Sequence, residues 1–202
     1  MIQSITNLVS DFSVDTDELQ GDPMKTIDDI EDEVVLLDEA GMPIGRAAKS
    51  AAHGPDTALH LAFSCHVVNA LGEVLVTRRA LTKQTWPGVW TNSFCGHPKP
   101  AEPLMAAVRR RAEFELGIEL DDIELALPLF RYRATDANGT VENEVCPVYV
   151  ATTYDEPDPN PREVAGHAWV MPDDLTRAVG AAPWAFSPWL VLQIRELELF
   201  HD

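Results

Sequence analysis

The 202-residue sequence predicts one mixed domain of the α/β (α+β) class, in which a β-sheet sandwich is flanked by helices and preceded by an N-terminal extension. Three observations support this class. Segments with strand-like patterns lie on both sides of a single strong helical pattern. The length corresponds to one domain, since domains run about 100–200 residues. A hydrophobic fraction of 46% is sufficient for a sizeable core.

The N-terminal extension is distinguished by its charge. Residues 1–33 contain ten acidic residues against Lys25 alone, so they carry −9, which is half of the formal net charge of −18. Their few apolar residues follow no sustained period. Such a composition is typical of an extension without a core of its own. We therefore expect the folded catalytic domain to comprise residues 34–202 and to begin near Val34.

Strand patterns dominate the first half of this domain. Residues 59–68 and 74–77 are joined by turn residues at 69–72, which is typical of a hairpin. A loop around Trp86, Pro87 and Gly88 separates the hairpin from a further extended segment. The predicted strands of this half are residues 34–37, 59–68, 74–77 and 89–93.

The clearest predicted helix spans residues 103–116. Pro103 suits the first helical position, where a missing N–H costs nothing. Glu102 favours the positive N-terminal end of the helix, and Gly117 is typical of a C-terminal cap.

After this helix, strands and turns return. A turn at residues 136–139 joins residues 123–134 to residues 141–152 in a second predicted hairpin. Residues 155–163 are proline-rich and predict a surface loop. Two further helices are expected, at residues 173–179 and at residues 187–200, where Pro188 lies in the first turn.

The overall charge excludes some classes of partner. Thirty-three acidic residues against fifteen basic ones argue against binding to nucleic acid or to anionic membrane surfaces. No apolar run reaches the ~18–20 residues of a membrane span, and no secretory signal is apparent. Three widely spaced cysteines form no disulfide framework. These features predict a cytoplasmic protein, monomeric or weakly homo-oligomeric, without membrane or nucleic-acid partners.

Several residues in this domain could carry chemistry. Cys95 and His97 are two apart, so they face the same side of an extended segment. Glu142 and Glu144 share a strand face, and paired carboxylates need a cation or a shared proton. Together with His53, His60 and His97, the two glutamates would make a five-ligand set suited to Mn²⁺, Zn²⁺ or Mg²⁺. Spacing alone leaves open whether the five converge, and a structural role for each histidine is the alternative.

The spaced pattern around the predicted helix resembles the Nudix box, whose acidic residues hold a divalent metal against a diphosphate. The pattern comprises Gly96, Glu102, Arg110, Glu115, Gly117 and Ile118. It departs from the hydrolase form of the box because Arg111 and Phe114 stand where the family has catalytic glutamates. Since metal-activated water needs a dense carboxylate cluster, pyrophosphate hydrolysis is disfavoured.

Longer blocks resemble the type I isopentenyl-diphosphate Δ-isomerases, which have a Nudix-like fold. In order, these blocks are AAHGPDTALHLAFS, TRRALTKQTWPGVWTNSFCGHP, FRYRAT, VENEVCPV and PWAFSPW. The resemblance extends from about residue 34 to residue 190 and leaves out the acidic extension. It implies an isomerase that converts isopentenyl diphosphate to dimethylallyl diphosphate for isoprenoid biosynthesis.

The resemblance also implies roles for individual residues. It implies a metal site formed by His53, His60, His97, Glu142 and Glu144. Glu115 is expected to hold a Mg²⁺ that accompanies the diphosphate, and Trp189 to face the isoprenoid carbons, with Trp184 helping to wall the pocket. The residues expected to grip the diphosphate are Arg79, Lys83 and Arg111. Segment 78–133 has nine basic and seven acidic residues, so it can form a basic pocket within an acidic protein.

The implied chemistry needs an acid and a base. The double bond moves when a proton is added at C4 and another is removed from C2, by way of a cation at C3, with water excluded. Glu144, assisted by Tyr132 and the metal, is expected to protonate the substrate, and Cys95 to act as the base on the opposite face. The reaction is reversible, so the roles can be read in either direction.

Two other functions are compatible with the sequence. A Nudix hydrolase would act on another diphosphate, although the two missing glutamates count against it. A non-catalytic regulator would bind a diphosphate, but it would have no need of Cys95, Tyr132 and Glu144.

Overall fold

The computed structural model of the protein describes residues 33–201, which fold into two β-sheets with helices packed around them. The acidic extension predicted for residues 1–33 lies, except for Glu33, outside the described residues. The strands are β1 (Glu33–Leu37), β2 (Pro43–Ala48), β3 (His60–Leu61), β4 (Phe63–Val68), β5 (Val74–Arg79), β6 (Trp90–Thr91), β7 (Phe94–Gly96), β8 (Asp121–Leu127), β9 (Arg131–Thr135), β10 (Val141–Val145), β11 (Val148–Thr152) and β12 (Val164–Val170). The helices are α1 (Lys49–Ala52), α2 (Leu104–Leu116), α3 (Pro172–Ala181) and α4 (Pro188–Gln193), with 3₁₀ turns at Pro183–Ala185 and Glu198–Phe200.

The two sheets are mixed. One has the strand order β2-β1-β3-β10-β9, and the other has the order β12-β5-β4-β11-β8 with β6 beside β5 and β7 beside β4. Within each sheet one pair is parallel, β3 with β10 and β4 with β11. This arrangement confirms the predicted mixed sandwich with flanking helices.

Three segments that were predicted as continuous each divide between the two sheets. Residues 59–68 break at Ala62, and residues 141–152 break at Cys146 and Pro147. The two breaks lie side by side, because Ala62 N–H donates to Val145 O at 2.9 Å and Ser64 N–H donates to Pro147 O at 3.0 Å. Residues 123–134 likewise divide into β8 and β9. The prediction of single strands was wrong for the first two segments because Ala62 and Cys146, where the strands break, are as buried as the strands themselves.

Helix α2 covers the second sheet. Its inward face is made of Ala107, Val108, Ala112 and Leu116, all fully buried against residues of β4 and β7. Gly117 ends the helix at φ 66°, the left-handed conformation that favours glycine, and its N–H donates to Glu113 O at 2.9 Å. The helix was therefore predicted correctly, except that Pro103 is its N-cap instead of its first residue.

Close approach of α2 to the sheet depends on Gly96 in β7. A Cβ atom at this position would lie 2.9 Å from Arg111 Cγ and 2.9 Å from Phe63 Cζ. Because real Cβ atoms do not approach that closely, any larger residue here would force Arg111 or Phe63 to shift. The contact places Arg111 directly behind the segment that carries Cys95 and His97.

The C-terminal helix is shorter than predicted. Ser187 caps α4 by accepting a hydrogen bond from Leu190 N–H, and the helix ends at Gln193 instead of continuing to Phe200. Strands β2, β7 and β12 and helix α1 were not predicted; in β2 no side chain is fully buried, so its sequence shows no alternation of apolar and polar residues. Among residues 33–201, none of the helices has the length and apolar character needed to cross a membrane.

Candidate active site

A cavity of roughly 330 Å³ lies between the ends of the two sheets. Ten of the twelve residues predicted to form the site line it: His53, Arg79, Lys83, Cys95, His97, Arg111, Tyr132, Glu142, Glu144 and Trp189. The other two adjoin these residues: His60 contacts Glu144, and Glu115 contacts Arg111. The structure therefore brings the whole predicted set together.

The pairing of β3 with β10 assembles the histidine and glutamate cluster. His60 and Glu144 are register partners in this parallel pair, and the bridge between Gly54 and Val141 brings His53 towards Glu142. His97 follows β7 and completes the group. Ligand atoms of His53, His60, His97 and Glu144 all lie within 4.8 Å of one another.

The donor atoms of this cluster fit a bound metal ion. His53 Nε2 lies 3.0 Å from Glu142 Oε2, and His97 Nε2 and His60 Nε2 lie 3.2 and 3.5 Å from Glu144 Oε1. Two ligands of one ion at about 2.0–2.1 Å are themselves about 3.0–3.4 Å apart.

Two of these buried atoms, His60 Nε2 and Glu142 Oε2, have no hydrogen-bond partner although each has a close neighbour. Buried polar groups rarely stay unsatisfied. The orphaned atoms therefore fit a cation as the missing partner.

Burial and charge set the protonation of the cluster. Burial alone would raise the pKa of Glu144, but its contacts with His60 and His97 hold that pKa well below its ordinary value. Burial lowers the pKa of His97 to about 3 despite the nearby carboxylate. Burial acts the same way on His53 and His60, but there the facing carboxylates of Glu142 and Glu144 outweigh it and raise the pKa. The carboxylate of Glu144 is thus ionised and His97 is neutral, as metal ligands need to be.

Cys95 is held from two sides. Its Sγ donates to Asn92 Oδ1 at 3.2 Å and lies 3.3 Å from Ser64 Oγ. Ser64 Oγ itself accepts from Gln193 Nε2 at 2.9 Å, so its own hydrogen is available to a sulfur. The thiol therefore has an acceptor on one side and a donor on the other. Burial raises the pKa of Cys95 to about 11, so the group is a thiol at neutral pH.

Aromatic side chains form the apolar wall of the cavity. The ring centroid of Trp189 lies 5.6 Å from that of Tyr132 and 5.5 Å from that of Trp86. Tyr132 is also the register partner of Glu144 in the antiparallel pair β9–β10. Trp189 donates from Nε1 to Asn92 Oδ1 at 2.9 Å, which fixes its ring. The expectation that Trp184 walls the pocket is wrong, because its side chain is 84% exposed.

Cations occupy the other side of the cavity. The Arg79 guanidinium donates to Thr85 O at 2.8 and 3.0 Å and lies 5.3 Å from the Trp189 ring centroid. Arg111 Nε donates to Glu115 Oε1 at 3.0 Å, one helical turn along α2. Lys83 forms an ion pair with Glu163.

The sequence analysis gives no site role to several residues around the cavity, among them Glu163, Trp86 and Asn92. From the sequence, Glu163 lies in a predicted surface loop and Trp86 in a predicted loop between strands. The proline-rich composition of residues 155–163 concealed Glu163, since a loop can still reach into a cavity. No local signal marks Trp86, since Trp184 also lies next to a proline and is exposed.

Comparison with known proteins agrees with this geometry. The NUDIX domain family matches residues 58–190. The isopentenyl-diphosphate Delta-isomerase of Agromyces mediolanus is 70% identical over 164 residues, covering 81% of this chain and 80% of its own. That of Clavibacter michiganensis subsp. michiganensis is 63% identical, covering 80% and 83% of the two chains. Among solved structures, a MutT NUDIX hydrolase from Burkholderia pseudomallei is 27% identical with a TM-score of 0.54, covering 68% of this chain and 97% of its own.

Proposed function

The chain belongs to the NUDIX domain family and, within it, to the isopentenyl-diphosphate Delta-isomerases, and from this membership we propose that it interconverts isopentenyl and dimethylallyl diphosphate. It is an isomerase that serves isoprenoid biosynthesis. One observation carries this function at the level of the site. A single cavity holds a carboxylate, a thiol, an aromatic wall and a group of cations, which are the parts that an allylic isomerisation of a diphosphate needs.

The reaction moves one double bond without changing the composition of the substrate. A proton adds to C4 of isopentenyl diphosphate, the electron pair of the double bond forms the new C–H bond, and C3 becomes a tertiary cation. Loss of a proton from C2 returns an electron pair and creates the C2–C3 double bond. Glu144, with Tyr132 beside it, is the proposed donor at C4, and Cys95 is the proposed acceptor at C2.

The proposed pair shares one proton in the ligand-free site. Because burial raises the pKa of Cys95 and contacts with His60 and His97 lower that of Glu144, this proton resides on the sulfur. That state runs the reaction from dimethylallyl to isopentenyl diphosphate, since Cys95 then donates and Glu144 accepts. The forward reaction starts from the other state, in which Glu144 carries the proton. Ser64 and Asn92 support both states of Cys95, because one can donate to a thiolate and the other can accept from a thiol.

The aromatic wall serves the cationic intermediate. The face of a tryptophan ring stabilises a desolvated cation by about 2 kcal/mol. Trp189 is 98% buried and fixed by its bond to Asn92, so its ring is preorganised for this role. Trp86 and Tyr132 complete a wall that excludes water, which would otherwise trap the cation as an alcohol.

Two metal sites are part of the proposal. His53, His60, His97, Glu142 and Glu144 would hold one divalent ion, for which Mn²⁺, Zn²⁺ and Mg²⁺ all suit the mixed nitrogen and oxygen donors. Such an ion would supply electrostatic stabilisation, and its ligand set would fix the orientation of Glu144. Glu115 would hold Mg²⁺ that accompanies the diphosphate, and Arg79, Lys83 and Arg111 would bind the diphosphate oxygens.

The test is proton NMR of isopentenyl diphosphate incubated with the full chain and Mg²⁺. The vinylidene signals of C4 are expected to decrease while the signals of the dimethylallyl product appear. Cys95→Ala and Glu144→Gln are each expected to lower the rate by at least about 10²–10⁴-fold, the usual contribution of an acid or base. Full activity in either variant would refute its assigned role.

The same experiment separates the isomerase from a hydrolase. Release of phosphate or pyrophosphate without movement of the double bond would indicate hydrolysis. Arg111 and Phe114 replace two of the box glutamates, so we expect neither phosphate nor pyrophosphate.

We also propose that residues 34–202 are sufficient for catalysis, in the cytoplasm, as a monomer or weak homo-oligomer. A variant without residues 1–30 is expected to retain the turnover of the full chain. A large loss of turnover would indicate that the acidic extension takes part in the site.

A further inference from the structure

Glu163 forms ion pairs with Lys83 and Arg111, two of the cations that are proposed to bind the substrate diphosphate. Its carboxylate forms an ion pair with Lys83, and its Oε2 lies 3.4 Å from an Arg111 guanidinium nitrogen. The side chain lines the cavity and is only 18% exposed. A carboxylate thus sits within the subsite that would receive a diphosphate, and no role for it follows from the acid–base chemistry.

The backbone holds Glu163 firmly in this place. Ala80 N–H donates to Glu163 O at 2.9 Å, and Lys83 N–H donates to Ala80 O at 3.1 Å, so the turn that carries Lys83 is bonded to Glu163. On the other side, Asn160 N–H donates to Glu115 O, and Asn160 O accepts from Glu163 N–H, both at 2.9 Å. Residue 163 therefore connects the turn that carries Lys83 to the end of α2, the helix that carries Arg111.

Lys83, Arg111, Glu115 and Glu163 form one group of paired charges. Lys83 and Arg111 contribute two positive charges, and Glu115 and Glu163 contribute two negative ones, so the group of four is neutral. All four side chains are at least 80% buried, where charge is poorly screened by solvent. A diphosphate that arrives without a metal must compete with Glu163 for Lys83 and Arg111. A diphosphate that arrives with a divalent cation brings two positive charges, which offset the carboxylates that stay in the subsite.

On the basis of the proposed function, we propose that Glu163 is a specificity-determining residue of the diphosphate subsite, an internal competitor that makes diphosphate binding depend on a divalent cation. It screens Lys83 and Arg111 from metal-free anions. The metal-bound diphosphate is accepted because its cation compensates for the carboxylates that stay in the subsite.

Binding of inorganic pyrophosphate to the full chain, measured by isothermal titration calorimetry with EDTA and with Mg²⁺, tests this proposal. In Glu163→Gln, metal-free pyrophosphate is expected to bind about tenfold more tightly than in the wild type, a gain of about 1.4 kcal/mol. The factor by which Mg²⁺ strengthens binding is expected to fall by about the same amount. Glu163→Ala is expected to change both quantities in the same direction, which provides a second test if the glutamine variant does not fold.

Glu156→Gln is the matched control, since it removes the same charge from an exposed position in the same loop. Its pyrophosphate affinity is expected to stay within about twofold of the wild type, because exposed charges are strongly screened. The proposal is refuted if folded Glu163 variants bind metal-free pyrophosphate no more tightly than the wild type, which would make Glu163 a purely structural partner of Lys83. Because the measurement uses pyrophosphate, its outcome is separate from that of the isomerisation assay.

Discussion

Adding one methyl group at Gly96 tests how tightly the site is built against helix α2. In Gly96→Ala the new Cβ atom would lie 2.9 Å from both Arg111 Cγ and Phe63 Cζ, and 3.3 Å from Phe63 Cε1. The Phe63 ring is completely buried and has no space to move into. The clash must therefore be relieved by moving Arg111 and α2 away from β7.

The expected cost follows from these contacts. Overpacking a well-packed core by a methyl group destabilises a protein by about 1–3 kcal/mol. For a domain of this size each kcal/mol lowers Tm by about 2–4 °C, so a decrease of about 2–12 °C is expected. Because Arg111 is displaced, KM for isopentenyl diphosphate is expected to rise about tenfold, equivalent to about 1.4 kcal/mol of binding, with a smaller change in kcat.

The matched control is Gly180→Ala in α3. Nothing lies within 4 Å of a Cβ atom at that position, which is an exposed helical one. Alanine there is expected to stabilise the protein by about 0.5–1 kcal/mol, because it restricts the unfolded chain. Urea unfolding and steady-state kinetics on both variants decide the matter. If Gly96→Ala is as stable as the wild type, the close packing of β7 against α2 is wrong.

Three further predictions concern the surroundings of the site. Asn92→Ala is expected to cost about 2–4 kcal/mol in urea unfolding, because the carboxamide accepts from Cys95 and Trp189 and its Nδ2 donates to two buried backbone carbonyl groups; a loss below 0.5 kcal/mol, on the scale of ordinary surface substitutions, would contradict this network. Burial tends to raise the pKa of Glu102, but the ion pair with Arg110 and the hydrogen bond from Lys99 N–H outweigh burial and hold that pKa below 4.5. The carboxylate therefore contributes about 0.5–1 kcal/mol of stability above pH 4.5, and this contribution is lost as the pH falls through the lowered pKa. The unfolding free energies of Glu102→Gln and of the wild type should converge in acid, and a constant difference would refute the ion pair. Mn²⁺ added to chelator-treated protein at about 100 times its Kd is expected to stabilise it by about 2.7 kcal/mol in calorimetry, and less in Glu142→Gln; an equal shift in both would place the ion elsewhere.

The chemistry of the site was more predictable from the sequence than its architecture. Cys95 and His97 at a spacing of two, and Glu142 and Glu144 at the same spacing, indicate which side chains share a face of an extended segment. Local periodicity carries that information directly. The long blocks around these residues indicated which chemistry to expect.

The features that escaped prediction are those determined by distant parts of the chain. The breaks at Ala62 and at Cys146 interrupt no hydrophobic pattern, because a strand that leaves one sheet for another remains buried throughout. Trp86 and Trp184 have similar local surroundings, each next to a proline, yet one packs on Trp189 and the other is exposed. Glu163 reaches the cavity because its loop is bonded to both α2 and the turn at residue 80. None of these contacts leaves a local signal.

The paired strand crossings at Ala62 and at Cys146–Pro147 also bear on how the site is made during folding. Each crossing carries the chain from the sheet that contains His60 and Glu144 to the sheet that contains Cys95. Neither sheet alone therefore contains a complete site. The contact between His60 and Glu144 closes a long loop. Such contacts form late, because closing the loop costs conformational entropy before the contact contributes any stabilisation. Catalytic competence is therefore a reporter of complete assembly: during refolding, isomerase activity should return only after both sheets have formed and joined.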